Sequence, residues 1–292
     1  FELQQQYKGH TNIRFLIGDV RDLERLNRAM EGIDYVFHVA AMKHVPSCEY
    51  NPFEAVQTNI IGTQNVILSS LNAGVKKTVF TSTDKAISPT NTYGASKLMA
   101  ERLIASAQYN SGGRGTIFAA VRFGNVMGSR GSVIPLFKQQ IEQHRRITVT
   151  DRSMSRFMMT VEQATSLTIQ AMENAHGGEI FVLKMPVLGL DDLANVVIQE
   201  YSKKLQIDPD KIIVEEIGLR PGEKMYEELM TIEEAKDAIE LPDMFVVPNT
   251  FLPERQEYEN GKPAQLQSYS SEWVDPLTRE EIRNLLLDND LI

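Results

Sequence analysis

The sequence predicts an α/β fold, a doubly wound parallel sheet joined to a smaller mixed α/β region, on three observations. Short runs rich in β-branched and aromatic residues alternate with longer helical patterns up to about residue 125. The strand candidates are almost continuously apolar, as expected of parallel strands covered by helices on both faces. After Asn125 the alternation gives way to glycine-rich loops and short irregular elements.

Taken in order, residues 1–7 read as a helix and 13–17 as a strand, followed by a helix over Leu23–Met30 and a strand over 35–39. The next helix spans 52–73. Asn51 is placed as its N-cap and Pro52 at its first position, where a missing N–H costs nothing, and Asn72-Ala73-Gly74 supplies its stop. Strands at 78–81 and Ile117–Arg122 flank a helix at 92–107. Beyond them come a Gly/Ser/Arg loop at 128–132, an apolar helix from Pro135, an irregular Pro- and Gln-rich stretch at 248–276 and a last helix at 279–287. The expected division is 1–125, 126–247 with some return to the sheet, and a C-terminal extension, 248–292.

The 292 residues are 42% hydrophobic and 24% charged, which excludes disordered and fibrous classes. With 30 Lys and Arg against 39 Asp and Glu, the net charge of −9 repels nucleic acid and anionic membranes, so an anionic ligand must meet arginines placed locally. No apolar run approaches the roughly 20 residues of a membrane span. Cys48 is the one cysteine, so no internal disulfide forms, and a reducing, cytoplasmic setting is expected. His10, His38, His144 and His176 show no metal-ligand spacing, so no metal is expected.

The sharpest chemical signal is Tyr93-Gly94-Ala95-Ser96-Lys97. Tyr and Lys at i and i+4 share a helix face, and a nearby ammonium favours the phenolate of a tyrosine whose ordinary pKa is about 10. Such a pair exchanges a proton with a substrate hydroxyl, although most pairs at this spacing are solvated surface neighbours. The preceding strand ends in Thr81-Ser82-Thr83-Asp84-Lys85, a hydroxyl, a carboxyl and an amine at the strand end where open α/β sheets bind ligands. An exposed Asp84-Lys85 turn pair is the plain alternative.

Together with these motifs, Val39-Ala40-Ala41-Met42-Lys43-His44-Val45-Pro46, Thr58-Asn59-Ile60-Ile61-Gly62-Thr63, Arg122-Phe123-Gly124-Asn125-Val126, Gly128-Ser129-Arg130-Gly131-Ser132-Val133-Ile134-Pro135, Ser155-Arg156-Phe157 and Arg220-Pro221-Gly222-Glu223-Lys224 stand in a distinctive order. From Phe1 to about Val247 the chain resembles the extended short-chain dehydrogenase/reductases. Within them it is most similar to the UDP-N-acetylglucosamine 4,6-dehydratases of polysaccharide biosynthesis. The resemblance implies a Rossmann-like nucleotide-binding sheet in 1–125, a UDP-sugar region in 126–247, NADP (or NAD) as cofactor, UDP-N-acetylglucosamine as substrate and a homo-oligomer. A dimer through helices 52–73 and 92–107 is what the family suggests.

The resemblance also assigns roles. Tyr93, its pKa lowered by Lys97, takes the carbon-4 hydroxyl proton while Thr83 hydrogen-bonds that oxygen; Lys85 takes the carbon-5 proton; Asp84 protonates the departing carbon-6 hydroxyl. These roles need a neutral Lys85 and a protonated Asp84, which a plain ion pair would deny. Asp19 and Val20 are expected at the adenine, Ala40, Ala41 and Lys43 along the cofactor, Asn59 as support beneath it, and Lys97 also at the nicotinamide ribose. Arg130, Arg156 and Arg220 are expected on the UDP diphosphate, Asn125, Val133 and Glu223 around the nucleotide and His44 near the sugar. No Gly-rich turn precedes Asp19. An opening strand–helix–strand unit of about 30 residues is therefore expected to lie outside this stretch, which by itself is expected to hold NADP weakly. A UDP-sugar 4-epimerase, which needs no Asp84-Lys85 pair, and a silent nucleotide-binding regulator are the alternatives.

Overall fold

The computed structural model describes residues 2–129, 131–220, 222–252 and 256–292. Its main sheet begins with Tyr35–His38 (β1), Lys77–Thr81 (β2) and Ile117–Arg122 (β3). It continues, past the short strands Asn125–Val126 (β4), Arg146–Val149 (β5) and Ser155–Met159 (β6), with Ile180–Leu183 (β7). Val187–Gly189 (β8), Ile213–Glu216 (β9) and Glu228–Met230 (β10) lie outside it, whereas Ile239–Glu240 (β11), Met244–Val247 (β12) and Lys262–Pro263 (β13) close its far edge. Tyr269–Ser270 (β14) is the last strand. The sheet order is β1-β2-β3-β7-β12-β11-β13: the first four run parallel, and β12, β11 and β13 add antiparallel pairs.

Right-handed crossovers need helices, and the sequence supplies them. Between β1 and β2 the predicted helix forms as one helical run, Pro52–Ala55, a wider turn over Val56–Ile61, then Gly62–Ala73, ending at Gly74 in the left-handed conformation with φ 69°. Asn51 does not cap it with its side chain, which instead donates to the Ser47 carbonyl. Thr92–Asn110 links β2 to β3, and Val161–Asn174, which lies between β3 and β7 in the chain and packs on β2 and β3, carries a full capping box at Thr160 and Gln163.

The central strands β2, β3 and β7 are buried on both faces, with Val79, Phe80, Phe118, Val121 and Phe181 among them. Burial of each such side chain stabilises by about 1.5–3 kcal/mol. A second apolar core joins helices Val133–His144, Leu190–Leu205 and Arg279–Asp288 around Ile147 and Val149. The three-stranded β4-β6-β8 sheet connects the two cores.

Residues 13–17 correct the sequence reading. They form no strand, and Phe15, Leu16 and Ile17 are exposed. Strands exist by pairing, and among the described residues the sheet ends at β1, whose Tyr35 and Phe37 are also exposed.

Candidate active site

The site is built where β2 stops pairing. Past Thr81, Ser82 donates its N–H to Val121 at 2.6 Å and Asp84 to Phe123 at 3.1 Å, so the chain crosses the end of β3 before turning over Asp84–Ala86. The Thr83 hydroxyl caps that turn and donates to Asp84 Oδ1 at 2.6 Å. Lys85 Nζ donates to both Asp84 oxygens and to Glu227 Oε1, each at 3.1 Å.

The Asn91 side chain caps the helix that follows by accepting from Gly94 N at 2.8 Å. Gly94 lets that helix lie against the turn: a Cβ there would stand 3.0 Å from the Lys85 carbonyl carbon and nearer still to its oxygen. The contact brings Tyr93 beside Thr83 and Lys85. Lys97, one turn on, donates to the Thr81 carbonyl at 2.6 Å and sits 4.1 Å above the Phe80 ring.

The electrostatics differ from the expectation in two respects. Burial pushes Tyr93 up, and although Lys85 and the Thr83 hydroxyl pull it back, it stays above its ordinary value; the cation that leads in pulling it down is Lys85. Burial instead lowers Lys97 to about 7. Secondly, Asp84 and Lys85 form the ion pair that their assigned roles exclude. Burial pushes Asp84 up and Lys85 down, but at Asp84 the Lys85 charge and the hydrogen bonds with Glu227, Thr83 and Lys85 together outweigh it, and at Lys85 the Asp84, Glu227 and Tyr93 groups together do so.

Glu227 was not singled out in the sequence. It is buried, and its carboxylate also accepts from Asn125 Nδ2 at 2.9 Å and faces Arg156 Nε at 3.4 Å. Burial, then the Asp84 charge, raise it to about 7 against the pull of Lys85 and Arg156. A signal existed: Glu227-Glu228 interrupts the apolar run Met225-Tyr226 and Leu229-Met230, so one of the two carboxyls must point inward.

Asp84, Lys85 and Glu227 line a cleft of about 350 Å³ together with Asn125, Val133, Arg156, Arg220 and Glu223. The expected nucleotide residues thus converge with the acid/base pair. His44 stands at its edge, its ring against Gly131 and its neighbours Val45 and Pro46 in the wall. Arg156 does not present free donors to a diphosphate: its guanidinium is committed to the carbonyls of Ser155, Lys224 and Met225 besides Glu227. Arg220 is exposed and makes no ion pair among the described residues, whereas Arg130 lies outside them.

The expected cofactor residues are more scattered. Asp19 is exposed and held by Arg21 at 2.8 Å, and half-buried Val20 packs against Gly62, with only 2.7 Å left for a Cβ there. Asn59 spends its amide on both backbone groups of Met42 and on Ser96 Oγ, bracing the loop after β1, with its Ala40, Ala41 and Lys43, to the Tyr93 helix. It supports the site rather than offering a ligand contact. At the end of β2 the buried Ser82 hydroxyl has no partner, and the Lys97 ammonium uses one of its three N–H groups on a protein hydrogen bond. These spare polar groups fit the hydroxyls of a nucleotide ribose. Among the described residues no His, Cys, Asp and Glu cluster could hold a metal, and no helix is long and apolar enough to cross a membrane.

A parallel sheet of this order, with a Tyr/Lys helix and ionisable residues at the strand ends, defines a Rossmann-like protein of the extended short-chain dehydrogenase/reductase type. The chain belongs to the polysaccharide biosynthesis protein family, whose model matches residues 1–249. A relative from Methanocaldococcus jannaschii, called an uncharacterized membrane protein, is 52% identical over 247 residues, 85% of this chain and 74% of its own. A UDP-glucose 4-epimerase from Rickettsia conorii is 41% identical over 285 residues, 96% of this chain and 81% of its own. The crystal structure of Pen from Bacillus thuringiensis is 57% identical with a TM-score of 0.93, covering all of this chain and 86% of that one. The fold is shared with DesIV, a dTDP-glucose 4,6-dehydratase from Streptomyces venezuelae with NAD and TYD bound, at 22% identity and a TM-score of 0.67 over 76% of this chain and 72% of that one.

Proposed function

We propose that this protein is a nucleotide-sugar 4,6-dehydratase acting on UDP-N-acetylglucosamine with NADP. The observation that carries the reading is the Asp84–Lys85–Glu227 cluster on the cleft wall. Water elimination needs both an acid and a base beyond the tyrosine that handles carbon 4, and this cluster supplies ionisable groups that a simple epimerisation would leave idle.

Bound NADP would supply the hydride acceptor and donor of this chemistry. Lys97 and Ser82 would hold its ribose, Ala40, Ala41 and Lys43 would line its path, and Asp19 and Val20 would meet the adenine. Tyr93 takes the carbon-4 hydroxyl proton, and Lys85, by its charge, and the Thr83 hydroxyl favour the phenolate. The resulting ketone acidifies carbon 5. Lys85 removes that proton, and Asp84 gives its own to the leaving carbon-6 hydroxyl. Arg220 meets the diphosphate, while Asn125, Val133, Glu223 and His44 shape the pocket; Arg156 positions Glu227 and the wall behind it.

The exposed Ile61, Leu68 and Met99 on the two crossover helices support a homodimer through that face. The lone buried Cys48 supports a cytoplasmic setting. The test is product analysis: incubation with NADP and UDP-N-acetylglucosamine gives a 4-keto-6-deoxy sugar lighter by one water. A product of unchanged mass, epimerised at carbon 4, would replace this reading with an epimerase, which the Rickettsia conorii relative's name favours.

A further inference from the structure

The second carboxylate on Lys85 is used by none of the steps above. Glu227 reaches the cluster from just before β10, 142 residues along the chain from Lys85. It is fixed from several sides. Its backbone N–H donates to Ser271 Oγ at 2.9 Å, its carbonyl accepts from Ser271 N at 2.8 Å, and its side chain is held by Asn125 from β4 and Arg156 from β6. The other charged or titratable groups facing the cluster are Asp84 and Lys85 from the turn after β2 and Tyr93 from its helix. A carboxylate held this way, in contact with the amine that must act as a base, controls whether that amine can give up its proton.

We propose that Glu227 is a positioning residue that sets the protonation of Lys85: ionised, it gives the ammonium a second carboxylate and holds its proton, and protonated, it withdraws that charge so that Lys85 gives the proton up more readily. In that step one Nζ–H bond of Lys85 breaks, its electron pair stays on nitrogen, and one O–H bond forms on water in the cleft. The proton on Glu227 likewise comes from water through the cleft. The use of the neutral amine as a base at carbon 5 rests on the dehydratase reading. The control of Lys85 by Glu227 is a property of the chain alone and is measured without turnover.

Trace acetylation with acetic anhydride across pH, read by mass spectrometry at Lys85 and normalised to the exposed Lys204, reports the fraction of neutral amine. In the wild-type chain Lys85 labelling is expected to rise less than tenfold per pH unit through neutrality, because Glu227 ionises and tightens its hold on the proton as pH rises. In Glu227→Gln the half-labelling pH is expected to fall by at least one unit, about a tenfold gain in reactivity at fixed pH, and Glu227→Asp returns it towards wild type. A full tenfold rise per unit in the wild-type chain, or an unshifted Glu227→Gln profile, would overturn the proposal. The wild-type slope decides the matter even if Glu227→Gln does not fold. In turnover, kcat of the wild type is expected to fall above neutrality and that of Glu227→Gln to show no such fall; the same fall in both would also count against the proposal. Failure of the product assay with an intact labelling result would sink the dehydratase reading and leave this one standing.

Discussion

Gly94→Ala is expected to cripple turnover without touching any reacting group. The helix over Thr92–Asn110 approaches the Asp84–Ala86 turn so closely that a Cβ at position 94 would lie 3.0 Å from the Lys85 carbonyl carbon and 3.1 Å from Pro89 Cβ. The carbonyl oxygen is nearer still, and it is backbone, unable to rotate away as a flexible side chain could. Restoring ordinary contact requires the helix and the turn to part by on the order of 1 Å, and a misplacement of that size costs about 100-fold in rate. Because Tyr93 and Lys85 sit on the two parting elements, the loss is expected in kcat, accompanied by about 1–3 kcal/mol of overpacking cost in stability. Product formation under saturating substrate, together with a thermal melt, measures both. Gly115→Ala is the control: nothing lies within 4 Å of a Cβ there. Turnover of Gly94→Ala within threefold of wild type would refute the idea that this contact sets the geometry of the Tyr93–Lys85 pair.

Arg122 is fully buried between Glu101 at 2.8 Å and Glu234 at 3.1 Å, so Arg122→Ala strands a buried carboxylate and is expected to cost about 3–5 kcal/mol in urea denaturation. Burial pulls Glu234 up, but Arg122 and the hydrogen bonds from Thr231 together outweigh it and hold the carboxyl below 4.5. The stability this contributes is present above the unfolded-state pKa and is lost as pH falls through the folded one, so the urea midpoint should drop on acidification below about 4.5 in wild type, and less so in Arg122→Met. Lys97, lowered by burial to about 7 from 10.5, opposes folding while it is charged. Lys97→Met is therefore expected to raise the melting temperature at neutral pH while removing activity, and the gap should narrow as pH climbs from about 7 towards 10.5. Arg220→Ala, at the exposed lip of the cleft, should raise KM about tenfold with kcat nearly unchanged; an equal loss in kcat would move Arg220 into the chemistry.

Most of the sheet was legible because its strands are apolar on both faces and its helices carry their own stops. Leu23–Met30, Ile117–Arg122 and the break at Gly74 lie where the sequence predicts them. Residues 13–17 misled for the same reason. Their side chains suit a strand, but a strand is a property of two chains and the pattern describes one. The convergence of Asp84, Asn125, Arg156 and Arg220 on one cleft could be inferred from motif order alone. The use each makes of its polar atoms could not. Spacing offers Arg156 five donors for a phosphate, yet local carbonyls claim them, and it offers Asn59 to a cofactor while its amide is fully engaged by Met42 and Ser96.

The state of the acid/base pair was beyond the sequence for a deeper reason. Helical spacing makes Lys97 the evident partner of Tyr93, but tertiary packing turns Lys97 towards Thr81 and places Lys85 next to the phenol. Lys85 in turn answers to a carboxylate 142 residues away. A cleft wall in which two carboxylates, a lysine and an arginine compensate one another can bury charge inside a chain of net charge −9. Compensated charges of this kind are costly to separate, so a single proton added to Glu227 shifts the balance of the whole cluster. A base held in check by a removable charge needs no intrinsic weakness as a base, only a neighbour able to change its own state at the pH where the protein works.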